Sequence, residues 1–140
     1  MIRAVLDANA IVAAMLNPAG RPADVVGKVR SAYTLVWSPP IVVECHRAAD
    51  YRKIKSRFRV ADPHAFIDDL ADASVMVTSE LPQIGAVARD PSDDIYIATA
   101  LVGAARWVVT GDQRHLLSLG RFAGVRMVSP SDFLAELSVR

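Results

Sequence analysis

The chain has 140 residues, a formal net charge of +1 and a hydrophobic content of 52%. Domains commonly have about 100–150 residues, so we expect residues 1–140 to form one domain. The small net charge gives no global basic signal for nucleic-acid binding. No apolar run approaches the roughly 20 residues that span a bilayer, so no membrane association is expected.

The N-terminal segment MIRAVLDANAIVAAML is apolar, but it is not typical of a signal peptide. Asp7 and Asn9 interrupt the apolar run, and no cleavage-like segment follows it. The single cysteine, Cys45, permits no internal disulfide, which fits a reducing compartment. We therefore expect a cytoplasmic protein.

Short apolar runs alternate with amphipathic segments along the first half of the chain. The predicted elements are a strand at 2–6, helices at 9–16 and 22–30, and a strand at 34–37. Ser38 and Pro39 then predict a helix start, with the serine as N-cap and the proline at the first helical position. We expect this helix to carry Glu44 in its second turn and to continue into a basic stretch.

The same alternation continues in the second half. Asp62 and Pro63 predict a helix start, as do Ser129 and Pro130 near the C-terminus. The other predicted elements are strands at 74–78, 107–109 and 125–128, a loop at 81–88, and helices that follow the acids at 90–94 and at 112. This order predicts βαβ units, an α/β fold and a mostly parallel sheet of about five strands.

Four acids lie at the ends of predicted strands or near the starts of predicted helices: Asp7, Glu44, Asp93 and Asp112. Each also has a purely structural interpretation. Asp7 and Asp112 can act as N-caps of the helices that follow them. Asp93 and its neighbour Asp94 would be favoured by the helix dipole in a first turn, and Glu44 can simply face solvent.

The positions of these acids, taken together, predict a bound cation. Ligands of open α/β sheets bind beyond the carboxyl ends of the strands, where at least three of the acids would converge and repel one another without a cation. Such an oxygen-only donor set suits Mg²⁺ or Mn²⁺. His46, His64 and His115 offer no zinc-site spacing, and we interpret each as an ordinary surface or core residue. An acidic metal site near a basic patch indicates phosphate chemistry.

The basic patch is one short stretch, from Arg47 to Arg59, which holds six of the sixteen basic residues. Arg52, Lys55 and Arg59 have helical spacing and could bind an RNA backbone, through contacts that give salt-dependent affinity without sequence selectivity. The alternative is a solvated helix face, which is what most charge runs are.

Three segments of the chain resemble the PIN-domain ribonucleases: VLDANAIVAAML, VVECHRA and RDPSDDIYIATALVGAARWVVTGD. The likeness is greatest to the toxins of bacterial type II toxin–antitoxin pairs, and it covers nearly the whole chain in the right order. It implies a three-layer α/β/α domain around a central, mostly parallel sheet. It also implies an endoribonuclease that depends on Mg²⁺ or Mn²⁺.

The resemblance further implies which residues form the site. The aspartate of the first strand is Asp7, and the helix glutamate is Glu44. The third acid is Asp93, because DDIYIATA fits the family's helix start in that register, with Asp94 as the neighbouring candidate. In this interpretation Asp7 and Asp93 ligate the main metal ion.

The fourth acid implied by the resemblance is Asp112 in TGD, which with Glu44 would complete the site or hold a second ion. Thr110 and Asn9 are implied as supporting polar residues. Ala8 stands where the family usually has a hydroxyl residue, which removes one hydroxyl contact but no carboxylate ligand.

The expected function is hydrolysis of RNA phosphodiester bonds. The expected partners are the RNA substrate, a cognate antitoxin protein and a second copy of the chain in a homodimer. Because a fold does not determine a function, two alternatives remain open. One is a non-catalytic PIN-like binding module in a complex, and the other is a metal-dependent DNA nuclease or phosphatase.

Overall fold

Short apolar runs form the centre of the fold. The computed structural model describes residues 1–85, 87–88, 90–111 and 116–140. The strands are β1 (Arg3–Leu6), β2 (Thr34–Trp37), β3 (Val75–Met76), β4 (Trp107–Val109), β5 (Arg121–Phe122) and β6 (Val125–Val128). They form one sheet in the order β3-β2-β1-β4-β6-β5, in which only β5 and β6 pair antiparallel. The predicted mostly parallel sheet of about five strands is confirmed, and the described residues contribute six strands to it.

Helices cover both faces of this sheet. They are α1 (Ala8–Leu16), α2 (Arg21–Gly27), α3 (Pro39–Ala49), α4 (Pro63–Ala73), α5 (Asp94–Val102), α6 (Leu116–Leu119) and α7 (Pro130–Ser138). All residues of β4 and the last three of β1 are buried, and because successive side chains point to opposite faces, neither face of these strands is open. Helix α2 packs on α1 and α7, while α3 packs on α4 and α5. The predicted three-layer α/β/α architecture is confirmed.

The helix starts at Asp62 and Ser129 follow the prediction. The Asp62 carboxylate accepts a hydrogen bond from a backbone N–H of α4 at 3.1 Å, and the Ser129 hydroxyl does the same for α7 at 3.1 Å. Ser38 holds the N-cap position of α3, but its hydroxyl makes no capping bond. It is instead 2.8 Å from the hydroxyl of Thr99, so this serine joins the start of α3 to the buried side of α5.

Several element ends differ from the prediction. Helix α2 ends at Gly27 rather than at residue 30, because Arg30 adopts a left-handed conformation with φ of 72° and turns the chain towards β2. Helix α3 ends at Ala49 and does not continue into the basic stretch. Closely spaced like charges disfavour a helix, and four cations follow within residues 52–57. Strand β3 has two residues instead of the five predicted at 74–78.

The sixth strand belongs to a hairpin that the sequence pattern did not reveal. Strands β5 and β6 are joined by Ala123 and Gly124, which both have positive φ, at 50° and 84°. Two-residue hairpin loops of this kind favour positive φ at both positions, usually with Asn-Gly or Asp-Gly. The Ala-Gly pair lacks that signal, and a two-residue strand shows no alternation of polar and apolar residues.

Gly103 marks the closest packing between a helix and the sheet. A Cβ atom at this position would lie 2.3 Å from Cγ1 of Val36 and 3.1 Å from Cγ2 of Val77. The C-terminus of α5 can therefore rest against β2 only because residue 103 has no side chain. In the described part of the chain, no helix has the length and apolar character needed to cross a membrane.

Candidate active site

The carboxyl ends of β1 and β4 bring Asp7 and Thr110 to one edge of the sheet. The two strands pair in parallel, and the Asp7 backbone N–H donates to the Val109 carbonyl at 3.1 Å. Asp7 is 1% exposed and Thr110 is completely buried. Gly111 follows, and a Cβ atom added to it would lie 3.9 Å from Cβ of Asn9. Three of the predicted site residues thus lie at the same edge.

The backbone around Asp7 is held from three directions. One oxygen of its carboxylate accepts a hydrogen bond from the Ala10 N–H at 2.8 Å, so the N-cap interpretation of Asp7 is correct. The next N–H, of Ala8, donates to the Tyr96 hydroxyl at 3.3 Å. The Trp37 indole N–H donates to the Leu6 carbonyl at 3.0 Å. These contacts fix the direction in which β1 presents the carboxylate.

Asp93 and Asp94 have different surroundings. Both oxygens of Asp94 accept backbone hydrogen bonds from the preceding loop, one from Val87 at 3.0 Å and one from Ala88 at 2.6 Å. This pair of bonds gives Asp94 a structural role, because it anchors the loop to the start of α5. Asp93 ends a 3₁₀ turn (Pro91–Asp93), and its side chain does not cap α5.

Tyr96 is acted on by the charges of two of the acids, Asp7 and Asp93, and it is not among the residues predicted from the sequence. Burial raises the pKa of its phenol well above the usual range, and the charge of Asp7 raises it further, as does the weaker effect of Asp93. Both carboxylates therefore act on the same hydroxyl. A sequence signal was present, because Tyr96 falls three residues after Asp93 and hence on the same side of a helix start.

Glu44 approaches the site from α3. Its neighbour Cys45 is fully buried, and burial raises the pKa of that thiol to about 12, with further contributions from the charges of Asp7 and Glu44. The Glu44 carboxylate is 3.6 Å from the Arg47 guanidinium one turn later and is 38% exposed. Helix α3 thus places Glu44, which is partly exposed, where its charge and that of Asp7 act on the same thiol.

The donor chemistry of this edge suits a hard cation. The charges of Asp7 and Asp93 both raise the pKa of Tyr96. The charges of Asp7 and Glu44 both raise the pKa of Cys45. Within the described ranges, no three acidic, histidine or cysteine side chains form a group that could hold a metal ion. The fourth predicted acid, Asp112, lies outside the described residues. Carboxylate donors without sulfur or imidazole fit Mg²⁺ or Mn²⁺ better than zinc.

Two histidines that we interpreted separately are in contact. His46 of α3 and His64 of α4 have Nδ1 atoms 2.7 Å apart. The two ring planes are 9° from parallel, and the ring centroids are 4.9 Å apart. This centroid distance is close to the Nδ1–Nδ1 distance plus the radii of the two rings. The rings therefore lie nearly in one plane and meet edge to edge. Each Nε2 atom is 2.8 Å from a carboxylate, of Asp68 for His46 and of Asp50 for His64. This cluster joins α3 to α4. His115 lies outside the described residues.

The basic stretch does not have the predicted helical form. Residues 52–57 form turns, so the helical spacing assigned to Arg52, Lys55 and Arg59 is wrong, although all three residues are exposed. The Arg59 backbone N–H donates to the Met15 carbonyl at 2.9 Å. Met15 lies at the far end of the nine-residue helix α1 from Asp7, a distance of roughly 10–14 Å along the axis. Arg59, at the end of the stretch, is therefore separated from Asp7 by about the length of α1.

Comparisons with known proteins agree with this architecture. A family model described as PIN domain matches residues 3–114. No curated protein sequence matches the chain. The fold is similar to that of DNA-bound VapBC from Salmonella typhimurium, at 15% identity and a TM-score of 0.61, over 93% of this chain and 99% of that chain.

Two further solved structures have the same fold. PAE2754 from Pyrobaculum aerophilum is 15% identical with a TM-score of 0.60, over 99% of this chain and 91% of that chain. VapBC2 from Rickettsia felis, bound to a promoter DNA fragment, is 12% identical with a TM-score of 0.57, over 91% of this chain and 98% of that chain. These likenesses establish the fold, and the family model covers most of the sequence. The resemblance noted in the sequence is therefore confirmed, and the chain belongs to the PIN-domain family.

Proposed function

We propose that the chain is a divalent-metal-dependent endoribonuclease and the toxin of a toxin–antitoxin pair. The observation that carries this proposal is the position of Asp7. It is a buried carboxylate at the carboxyl end of the central strand, and it acts with Asp93 on the hydroxyl of Tyr96. Two carboxylates close enough to act on one hydroxyl disfavour each other's ionised form, and a divalent cation at this edge would offset that repulsion.

The proposed ligands are divided between strands and helices. Asp7 and Asp93 would hold the main Mg²⁺ or Mn²⁺ ion, and Glu44 and Asp112 would complete the site or hold a second ion. When bound, such an ion activates water and neutralises charge on a phosphate. Burial keeps the Asp7 side chain in one orientation, and the Ala10 N–H fixes one of its oxygens.

The supporting residues position this site and its substrate. Asn9 is exposed beside Gly111, where its amide could contact RNA, and the buried Thr110 is held at the end of β4 by its N–H bond to Val128 at 2.9 Å. Asp94 keeps the loop before α5 in place through its two backbone hydrogen bonds. Arg52, Lys55 and Arg59 would contact RNA phosphates, and Arg59 would contact those that flank the cleaved bond, since the length of α1 separates it from Asp7.

The proposed protein partners are an antitoxin and a second copy of the chain. The solved neighbours named VapBC support an antitoxin partner, because those structures are complexes of that name. A homodimer is supported by exposed apolar side chains in the described chain, among them Val43, Val75 and Val102. Light scattering coupled to size-exclusion chromatography, with and without a co-expressed antitoxin, measures both associations.

A cleavage assay tests the proposed activity. Purified protein is incubated with a structured RNA and with single- and double-stranded DNA, in Mg²⁺, in Mn²⁺ and with a chelator. The variants are Asp7→Asn and Asp93→Asn, with Asp69→Asn, an exposed carboxylate of α4, as the matched control. We expect metal-dependent cleavage of RNA, a loss of at least a hundredfold in the first two variants, and retained cleavage in the control wherever it remains folded.

The other outcomes are equally informative. Cleavage of DNA in place of RNA would support the DNA nuclease alternative. An absence of cleavage in every metal, combined with stable complex formation, would support the non-catalytic module. Metal-dependent RNA cleavage that persists in Asp7→Asn would contradict the assignment of the site.

A further inference from the structure

A second charged site lies at the opposite edge of the sheet. A cavity of about 860 Å³ opens where the parallel strands begin. Its polar lining comes from the starts of β1, β4 and β6, from β5 and from the end of α7, and comprises Arg3, Arg106, Arg121, Arg126, Arg140 and Glu136. Asp7 and Thr110 lie at the other ends of β1 and β4, so this cavity is separate from the acidic edge.

The cavity concentrates positive charge. Five arginines and one glutamate leave a formal excess of four positive charges, in a chain whose net charge is +1. In the pairing of β5 with β6, Arg121 lies directly opposite Arg126. Residues directly opposite one another share a face of the sheet with Cβ atoms about 4.5–5.5 Å apart, and like charges there are destabilising. An anion between the two guanidinium groups would remove this repulsion.

Three of the five arginines have partners within the protein. Arg3 donates to the Gly103 carbonyl at 2.7 Å, and Arg140 pairs with Glu136 at 2.7 Å. The Arg126 guanidinium carbon lies 5.1 Å from the centroid of the Trp107 ring. A cation–π contact occupies no hydrogen-bond acceptor, so the N–H donors of Arg126 remain for another group.

The side chains of Arg106 and Arg121 form no hydrogen bond or ion pair with any residue of the described ranges. Charged side chains on an edge strand protect against aggregation, and Arg121 lies on such a strand. Edge protection does not explain Arg106, which precedes the inner strand β4, or Arg126, which lies on the inner strand β6. The convergence of these three arginines therefore needs another cause.

We propose that this cavity binds a ligand with two or more phosphate groups. Guanidinium groups bind phosphate oxygens through paired hydrogen bonds, and several arginines around one cavity match several phosphates. The volume falls in the range of roughly 300–1,000 Å³ that is typical of small-ligand pockets. The phosphates belong either to a free oligophosphate, such as that of a nucleotide, or to a nucleic-acid strand. Neither source requires the proposed nuclease activity.

Binding is measured calorimetrically with the full chain at about 150 mM salt, in the presence of EDTA so that no divalent ion contributes. One probe is inorganic tripolyphosphate, and the other is a 2′-O-methyl RNA decamer that a ribonuclease does not cleave. The test variant is Arg106→Gln/Arg121→Gln. The control is Arg21→Gln/Lys28→Gln, which removes two exposed cations that do not line the cavity. Circular dichroism verifies the fold of each variant.

We expect saturable binding of at least one probe, weakened at least tenfold in the test variant and unchanged in the control. Trp107 fluorescence should respond to the ligand because Arg126 stacks on that ring. Saturation by tripolyphosphate at one per chain, with displacement of RNA, identifies free oligophosphates as the source. Binding of RNA alone identifies a strand, and its salt slope should then fall by about 1.4 in the test variant, for two lost phosphate contacts.

Three results would overturn the proposal: no saturable binding of either probe, wild-type binding by the test variant, or equal weakening in the control. The Asp7→Asn variant separates this site from the proposed nuclease. It should lose cleavage and retain tripolyphosphate or RNA binding in EDTA. Loss of binding in Asp7→Asn would place the phosphates at the acidic edge and contradict a second site.

Discussion

At the scale of single residues, the chemistry of the site depends on how Asp7 is held. The sequence offered two interpretations of this residue, an N-cap and a metal ligand, and the structure shows that the cap is real. The two roles are compatible, because one carboxylate has two oxygens and the cap fixes only one of them. The apolar run at 2–6 located the end of β1, but it could not reveal that the charge of Asp7 would act on Tyr96 and Cys45.

The pKa of the Cys45 thiol depends on burial and on the charges of Asp7 and Glu44. Its thiol has a pKa of about 12, so at pH 8 almost none of it is the reactive thiolate. We expect its reaction with Ellman's reagent to be on the order of a hundredfold slower in the folded protein than in urea. In Asp7→Asn the pKa should fall, because one of the contributing charges is removed, and the rate at a given pH should rise. A pH–rate profile identical to that of the wild type would place the Asp7 charge away from Cys45.

The packing around Gly103 leaves no room for a side chain. The added methyl group in Gly103→Ala would overlap Cγ1 of Val36, so we expect a loss of about 1–3 kcal/mol in the free energy of unfolding. Gly27→Ala is the matched control, because a Cβ atom there meets nothing within 4 Å and alanine is the better helix former. Urea denaturation measures both. Equal stability of the two variants would show that α5 can move away from β2.

At the scale of elements, the helix starts were the most predictable features and the helix ends the least. A start is marked by local chemistry, such as Asp62 before Pro63, which is written in two adjacent residues. At the end of α3, contacts between distant residues add to the local effect of the cations at 52–57. Asp50 at its C-cap accepts a hydrogen bond from His64, which lowers the pKa of this carboxylate, and His64 also meets His46. No local pattern reports a contact between residues 46 and 64.

The edge-to-edge histidines should couple α3 to α4 energetically. In a double-mutant cycle of His46→Ala and His64→Ala, we expect a coupling of about 0.5–1.5 kcal/mol, in the lower half of the range for contacting residues because both rings are partly exposed. His46→Ala combined with Lys28→Ala serves as the control, since these residues are not in contact and their effects should add. Chemical denaturation supplies the four free energies of each cycle. Strict additivity for the histidine pair would exclude a direct bond between the rings.

At the scale of the whole molecule, charge is distributed between the two edges of one sheet. Asp7 and Thr110 mark the carboxyl edge, and an arginine-lined cavity marks the amino edge. The order of strands and helices predicted the first edge, because ligands of α/β sheets bind beyond the carboxyl ends of the strands. It did not predict the second, because the five arginines are spread from position 3 to position 140 and converge only when the β5–β6 hairpin and the end of α7 are in place.

The position of the basic stretch, like that of the arginine-lined cavity, could not be predicted from local sequence. Its charge was evident from the sequence, but its distance from Asp7 was not. The stretch follows α3 and is bonded through Arg59 to Met15, so its position depends on the packing of α1 and α3. Residue composition identified a cationic surface correctly, and the helical arrangement assigned to it was wrong because α3 ends at Ala49.

Asp7 and Asp93 are proposed to share one divalent ion, and a titration with Mn²⁺ measures whether they do. Electron paramagnetic resonance measures free Mn²⁺ in titrations of the wild type and of Asp7→Asn, Asp93→Asn, Asp112→Asn and Asp94→Asn, with the fold of each verified by circular dichroism. We expect Mn²⁺ to bind at least tenfold more weakly to Asp7→Asn and to Asp93→Asn than to the wild type. Binding of Mn²⁺ should also be weaker in Asp112→Asn, and folded Asp94→Asn should have wild-type affinity. Wild-type Mn²⁺ affinity in Asp7→Asn would contradict the proposal.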